Sequence, residues 1–229
     1  MKKIGILGGM SWESTITYYK VINEMIGRYQ GGNVSADMLI RSLDLALIDS
    51  YQSCGRWDMV AEILCEAAKE LEQMGADFLI MASNTVHKVY DQVQDAVNVP
   101  VLHIADATVE SIKTEGLKRV GLLGTRYTME GDFLKEKLIA RDVEVIVPPK
   151  ARWDRIHKAI FEEACIGTVS LETKAMFRQV IKELQAQGAE GIILGCTELG
   201  LLIESSDSPL KLFDTAELHA QMAAEYIMK

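Results

Sequence analysis

The chain has 229 residues, of which 48% are hydrophobic, 25% charged and 7% aromatic, with 17 Gly and 4 Pro. This is the profile of an ordinary globular protein and excludes disordered, collagen-like and low-complexity readings. At this length folding buries roughly 70% of the unfolded surface, enough for one large α/β unit or two small ones without disulfides or metal. Against 24 basic side chains stand 33 acidic ones, a formal net charge of −9. With no run of Lys or Arg to offset that charge, neither nucleic acid nor an anionic membrane surface is an expected partner.

The chain opens on Met-Lys-Lys and a short apolar run, Ile4 to Leu7, that closes on Gly8-Gly9. The run is too short for a signal-peptide core or a membrane span, so it reads as a buried strand and the protein as cytoplasmic. Gly8-Gly9-Met10-Ser11 then reads as a tight turn into a helix from about Trp12, a place where backbone N–H groups cradle an anion. The spacing is not that of a dinucleotide fingerprint, because Gly5 lies inside the strand. Asp49 to Ser53, with Gln52, reads as polar loop. Trp57 to Met74 carries apolar residues at helical spacing, and Phe78 to Met81 is a buried strand running into Ser83-Asn84-Thr85. His87, four residues after Ser83, reads as structural. Val120 to Leu123 is the next strand and ends on Gly124-Thr125-Arg126-Tyr127-Thr128, a second anion cradle with Thr125 and Thr128 as hydroxyl donors. Leu171 to Gln187 is another amphipathic helix, and strand Ile192 to Leu194 leads into Cys196-Thr197-Glu198. Strands alternating with helices predict βα units and mainly parallel sheets.

An internal repeat organises these elements. Gly75 to Thr85 lines up with Gly188 to Glu198 at an offset of 113 positions, which makes Ser83 the counterpart of Cys196. Lys3 to Gly9 matches Arg119 to Thr125, and Val99-Pro100-Val101-Leu102 resembles Ser208-Pro209-Leu210-Lys211. The repeat predicts two α/β domains, 1–102 with a returning C-terminal helix at 214–229 and 103–213. Ligands bind at the carboxyl ends of strands in open parallel sheets, where both repeated motifs sit. The expected site is a cleft between the domains.

Cys54, Cys65, Cys165 and Cys196 show no CxxC spacing, and His103, His157 and His219 no metal-ligand spacing. Neither a disulfide framework nor a metal site is expected, and reduced thiols are the default. Only Cys196 falls in the repeated strand-end motif.

Five stretches resemble the PLP-independent aspartate/glutamate racemase family, and in particular its broad-specificity amino-acid branch. They are residues 8–15, 84–88, 103–108, 123–130 and 195–198. The resemblance covers nearly the whole chain. It implies two pseudosymmetric α/β domains with the active site between them, a homodimer, an amino-acid substrate and no cofactor. Typical members carry one catalytic Cys in a C-N-T-x-H motif and a second in G-C-T-E. Here the second is intact at Cys196, whereas the first reads Ser83-Asn84-Thr85-Val86-His87. Many relatives also have a Lys near the position of Cys165, and its absence bears on how a substrate's side-chain carboxylate is held.

On this resemblance Cys196 is the base for the L-amino acid and Ser83 the donor on the opposite face. Met10, Gln52 and the loop of Asn84, Thr85 and Val86 contact the substrate. Thr125, Thr128 and Thr197 join Asn84 and Thr85 as donors to its carboxylate, and Glu198 orients or ionises the Cys196 neighbourhood. A thiol suits this work because its pKa, near 8.5 when unperturbed, is readily lowered by N–H donors and helix N-termini. Two other readings stay open at this point. A single-Cys decarboxylase of the same superfamily needs only one proton donor, and a substrate screen separates it. A non-catalytic amino-acid-binding homologue would exchange no Cα proton.

Overall fold

The first apolar run becomes strand β1 (Ile4–Gly8), buried at all five positions. The computed structural model describes residues 1–168 and 170–229, and they divide into two units, Met1–Ile104 with His219–Lys229, and Ala105–Leu218.

In the first unit β1 is followed by α1 (Trp12–Gln30), β2 (Met38–Ser42), α2 (Leu45–Ser53), α3 (Trp57–Gln73), β3 (Phe78–Met81), a 3-10 turn (Thr85–Val89), α4 (Tyr90–Asp95) and β4 (Val101–Leu102). Helix α5 (Ile104–Thr114) starts at the unit's last residue. The strands form a parallel sheet in the order β2-β1-β3-β4. Parallel neighbours need crossover connections, and the helices between them supply these. Helix α3 turns Val60, Leu64, Ala67, Ala68 and Leu71 inward, the three- and four-residue spacing of its amphipathic pattern. Leu71 presses on Gly5, where a Cβ would collide with the side chain of Leu79. The glycine inside β1 therefore lets the helix lie close on the sheet.

The second unit repeats this plan. Its elements are β5 (Arg119–Leu123), α6 (Arg126–Glu130), α7 (Lys135–Ile139), β6 (Glu144–Ile146), α8 (Lys150–Glu162), a 3-10 turn (Ala164–Ile166), α9 (Leu171–Ala186), β7 (Gly191–Leu194), α10 (Leu199–Leu202), a 3-10 turn (Ser205–Asp207), β8 (Lys211–Asp214) and α11 (Thr215–Met228), which ends in the first unit. The sheet order is β6-β5-β7-β8, again parallel. Ser170 caps α9 by accepting from Thr173 N at 3.1 Å, and the helix buries Met176, Phe177, Val180, Ile181 and Leu184. Gly121 stands where Gly5 stands: a Cβ there would meet Ile192 and Leu184 at 2.8 and 2.9 Å.

The repeat holds down to single hydrogen bonds. Gly5 faces Leu79 across β1 and β3, and Gly121 faces Ile192 across β5 and β7. Asp77 N donates to Lys3 O and Glu190 N to Arg119 O, both at 2.8 Å, and each acidic side chain accepts from the opening of the neighbouring strand. The ladders close alike, Ala82 N on Leu7 O at 2.9 Å and Gly195 N on Leu123 O at 2.6 Å. Ser83 and Cys196 are the residues that follow.

Candidate functional site

In the first unit the expected residues gather at the carboxyl edge of the sheet. After β1 the chain turns sharply at Gly9, whose φ of 84° suits glycine and whose missing Cβ leaves room for the Leu43 backbone. Gly9 N donates to Thr15 Oγ1 at 2.8 Å, and that hydroxyl donates to Ser11 O at 3.0 Å. Ser11 in turn caps α1 by accepting from Ser14 N. Part of the expected anion cradle is therefore spent on holding its own turn. Met10 and Val86 pack into the apolar core with Ile48.

Gln52 is not in a loop. It is buried in α2, which begins where Asp44 Oδ1 accepts from Ala46 N at 2.9 Å. Asp49 to Ser53 reads as loop because it is polar on every side, and the cap and the burial of Ile48 and Gln52 override that local preference. Ser83, Asn84 and Thr85 are all buried at the end of β3, Ser83 with 8% of its surface exposed.

Beneath this loop lies a buried cluster whose members are 87, 103 and 219 in sequence. His87 Nδ1 lies 2.8 Å from Ser83 O, and Ile104 N donates to His87 Nε2 at 3.2 Å. The rings of His87 and His103 are 4.6 Å apart, and those of His87 and His219 5.9 Å. His219 is fully buried. Its Nε2 lies 3.0 Å from Leu102 O and its Nδ1 2.9 Å from the Tyr18 hydroxyl. A carbonyl only accepts, so Nε2 carries the proton and Nδ1 accepts from Tyr18. Burial, aided by His87, pushes the His219 pKa down to about 3. Because the folded pKa lies below the unfolded value near 6.5, the stability tied to neutral His219 is complete above that pH. It is lost as pH falls toward 3, at a slope of up to ~1.4 kcal/mol per pH unit. Denaturant unfolding at pH 7, 5 and 4 is expected to show this slope in the wild type and a flatter one in His219→Gln. Equal slopes would contradict it.

In the second unit Thr125 caps α6. Its hydroxyl accepts from Thr128 N at 3.3 Å and lies 3.2 Å from Thr128 Oγ1. Both are buried, as are Cys196, Thr197 and Glu198 after β7. The Cys196 thiol donates to Glu198 Oε2 at 2.8 Å, and Thr197 Oγ1 donates to the same oxygen at 3.1 Å. The expected lowering of the thiol pKa is not found. Burial first, then the charge of Glu198 and the nearby Cys165, hold Cys196 well above the ordinary thiol range. Burial and the hydrogen bond to Glu198 Oε2 thus both act on the sulfur just past β7.

Asp214, absent from the sequence reading, stands at the end of β8. Its Oδ1 accepts from Ala216 N and Glu217 N at 2.9 and 3.1 Å, and its other oxygen lies where a Cβ on Gly200 would be. Burial pushes its carboxyl up to about 6, with Glu217 and Glu198 adding to the rise. Its signal in the sequence is an Asp directly before a helix, a cap pattern.

None of the four cysteines is disulfide-bonded. Cys54 is exposed, Cys65 half-buried, and Cys165 packs beside the core that holds Cys196. Among the described residues no cluster of His, Cys, Asp and Glu could hold a metal ion, and no helix is long and apolar enough to cross a membrane.

Known proteins place these features in context. Across 216 residues the chain is 27% identical to the broad specificity amino-acid racemase RacX of Bacillus subtilis (strain 168), covering 93% of this chain and 92% of RacX. A Yersinia pestis protein of known structure is 43% identical over the whole of both chains, with a TM-score of 0.92. An aspartate racemase homologue from Pyrococcus horikoshii OT3 is 38% identical, again over the whole of both chains, with a TM-score of 0.84. Residues 7–223 match the profile of the family described as Asp/Glu/Hydantoin racemase, and the protein belongs to that family.

Proposed function

We propose that the protein is a cofactor-independent amino-acid racemase that moves the Cα proton of an aspartate- or glutamate-like substrate between Cys196 and Ser83. The observation that carries this reading is the equivalence of the two positions. Each follows a central parallel strand by the same closing backbone bond, Ala82 N to Leu7 O in one unit and Gly195 N to Leu123 O in the other. Racemisation needs one group to take the proton from one face of Cα and another to supply one from the opposite face. A repeated motif provides such a pair.

In this reading the Cys196 proton passes to Glu198, and the thiolate removes the Cα proton of the L-enantiomer. Ser83 delivers a proton to the other face. The carbanion spreads onto the α-carboxylate as an enediolate, which Asn84, Thr85, Thr125, Thr128 and Thr197 stabilise by donation. Gln52, Met10 and Val86 complete the contacts. The name of the Bacillus subtilis relative supports a range of amino-acid substrates rather than one. The reading includes a homodimer and a cytoplasmic location, the latter supported by four cysteines outside any disulfide.

The test is turnover without cofactor. Protein dialysed against EDTA, with no PLP or nucleotide added, is expected to racemise at least one of Asp, Glu and homoserine, followed by chiral chromatography. Activity lost on dialysis and regained with a divalent ion or PLP would contradict the reading.

A further inference from the structure

We propose that His87 is a positioning residue for Ser83, a clamp that fixes the plane of the peptide joining Ser83 to Asn84. The inference rests on the role given to Ser83 above and names the group that makes the role possible.

The clamp is defined by two backbone partners, each with only one hydrogen-bonding sense. Ser83 O is a carbonyl and only accepts, so His87 Nδ1, 2.8 Å away, carries the proton. Ile104 N is an amide and only donates, so Nε2, 3.2 Å away, presents its lone pair. Together they select the neutral Nδ1–H tautomer, because a proton on Nε2 would face the Ile104 N–H. His87 is 2% exposed, and its ring is walled by His103 at 4.6 Å and by Tyr90, stacked at 6.2 Å with planes 9° apart. Tyr90 is itself tied to the backbone by its hydroxyl on Val101 O at 2.8 Å.

The geometry matters because Ser83 is the first residue past the ladder. Ala82 N makes the closing bond to Leu7 O, and strand β3 has already ended at Met81. A peptide unit is planar, so holding the Ser83 carbonyl fixes the Asn84 N–H in the opposite direction and the Cα from which the Ser83 side chain springs. His87 anchors that plane to the first residue of α5, 17 residues further along the chain. The imidazole makes no contact with the reacting atoms in this account and acts only through the loop.

A misplacement near 1 Å at a reacting group costs roughly a hundredfold in rate. In D₂O at saturating substrate, where kcat is read, loss of the Cα–H signal from the D-enantiomer is therefore expected to fall about 10- to 100-fold in His87→Ala. Loss from the L-enantiomer, which starts at Cys196, is expected to fall clearly less. His87→Gln keeps one donor and one acceptor and is expected to recover part of the D-direction rate, a rescue that covers the case in which His87→Ala fails to fold. Thermal melts by circular dichroism establish folding, and Ser83→Ala is measured alongside. If Ser83→Ala shows the D-selective loss while a folded His87 variant slows both directions equally, or neither, the clamp is overturned alone. If Ser83→Ala spares the D-direction, the role of Ser83 is wrong and the clamp falls with it.

Discussion

Cys196→Ala is expected to abolish Cα-proton exchange from L-substrates, with a loss of at least about a thousandfold in kcat/KM, or ~4 kcal/mol of transition-state stabilisation. The sulfur is the one strongly nucleophilic atom at a repeated strand end, and alanine removes the atom that takes the Cα proton in this reading. Its hydrogen bond to Glu198 Oε2 links it to a carboxyl acceptor two residues on. The fold is expected to survive, since the side chain is small and the loop keeps its backbone bond from Leu199 N to Cys196 O at 3.0 Å. Cys54→Ala, Cys65→Ala and Cys165→Ala are expected to keep most of the activity. Retention of more than about a tenth of wild-type kcat/KM by Cys196→Ala, a loss under ~1.4 kcal/mol, would show that the assignment is wrong.

Ser83→Cys is expected to raise kcat for the D-enantiomer more than for the L-enantiomer. In the L-to-D direction residue 83 only supplies a proton, which a hydroxyl refilled from solvent can do. In the reverse direction it must act as a base, where an alcohol is far weaker than a thiolate. The equilibrium between enantiomers is one to one, so kcat/KM stays equal for the two directions and the asymmetry shows in kcat, KM and isotope wash-in. Ser83 is buried almost to the same degree as Cys196, with 8% and 7% exposed, so the new thiol would enter a comparable environment. Equal kcat for both enantiomers in the wild type, unchanged in ratio by Ser83→Cys, would remove Ser83 from the mechanism.

The central architecture was legible because parallel strands covered on both faces are written as unbroken apolar runs. Ile4 to Leu7, Phe78 to Met81, Val120 to Leu123 and Ile192 to Leu194 all lie in the strands found. The edge strands were less readable. Met38–Ser42 is half-buried to exposed and Glu144–Ile146 spans three residues, so neither carries a full apolar signature. The strand-end residues were legible through the repeat, since its segments align Ser83 with Cys196 and also pair the backbone bonds that close the two ladders before them. Their electrostatics were not. The thiol's raised pKa comes from burial and from the rotamer that brings Glu198 onto it, and neither is written in local spacing. The histidine cluster was hidden for a similar reason: residue 219 meets 87 and 103 only because α11 returns to the first unit.

The most direct measurement of the central claim is ¹H NMR of both enantiomers of Asp, Glu and homoserine in D₂O, with EDTA-treated protein and no PLP. The account predicts loss of the Cα–H signal from at least one enantiomeric pair in the wild type and none from the L-enantiomer with Cys196→Ala. Retention of every Cα–H signal by the wild-type protein, or unchanged loss with Cys196→Ala, would contradict it.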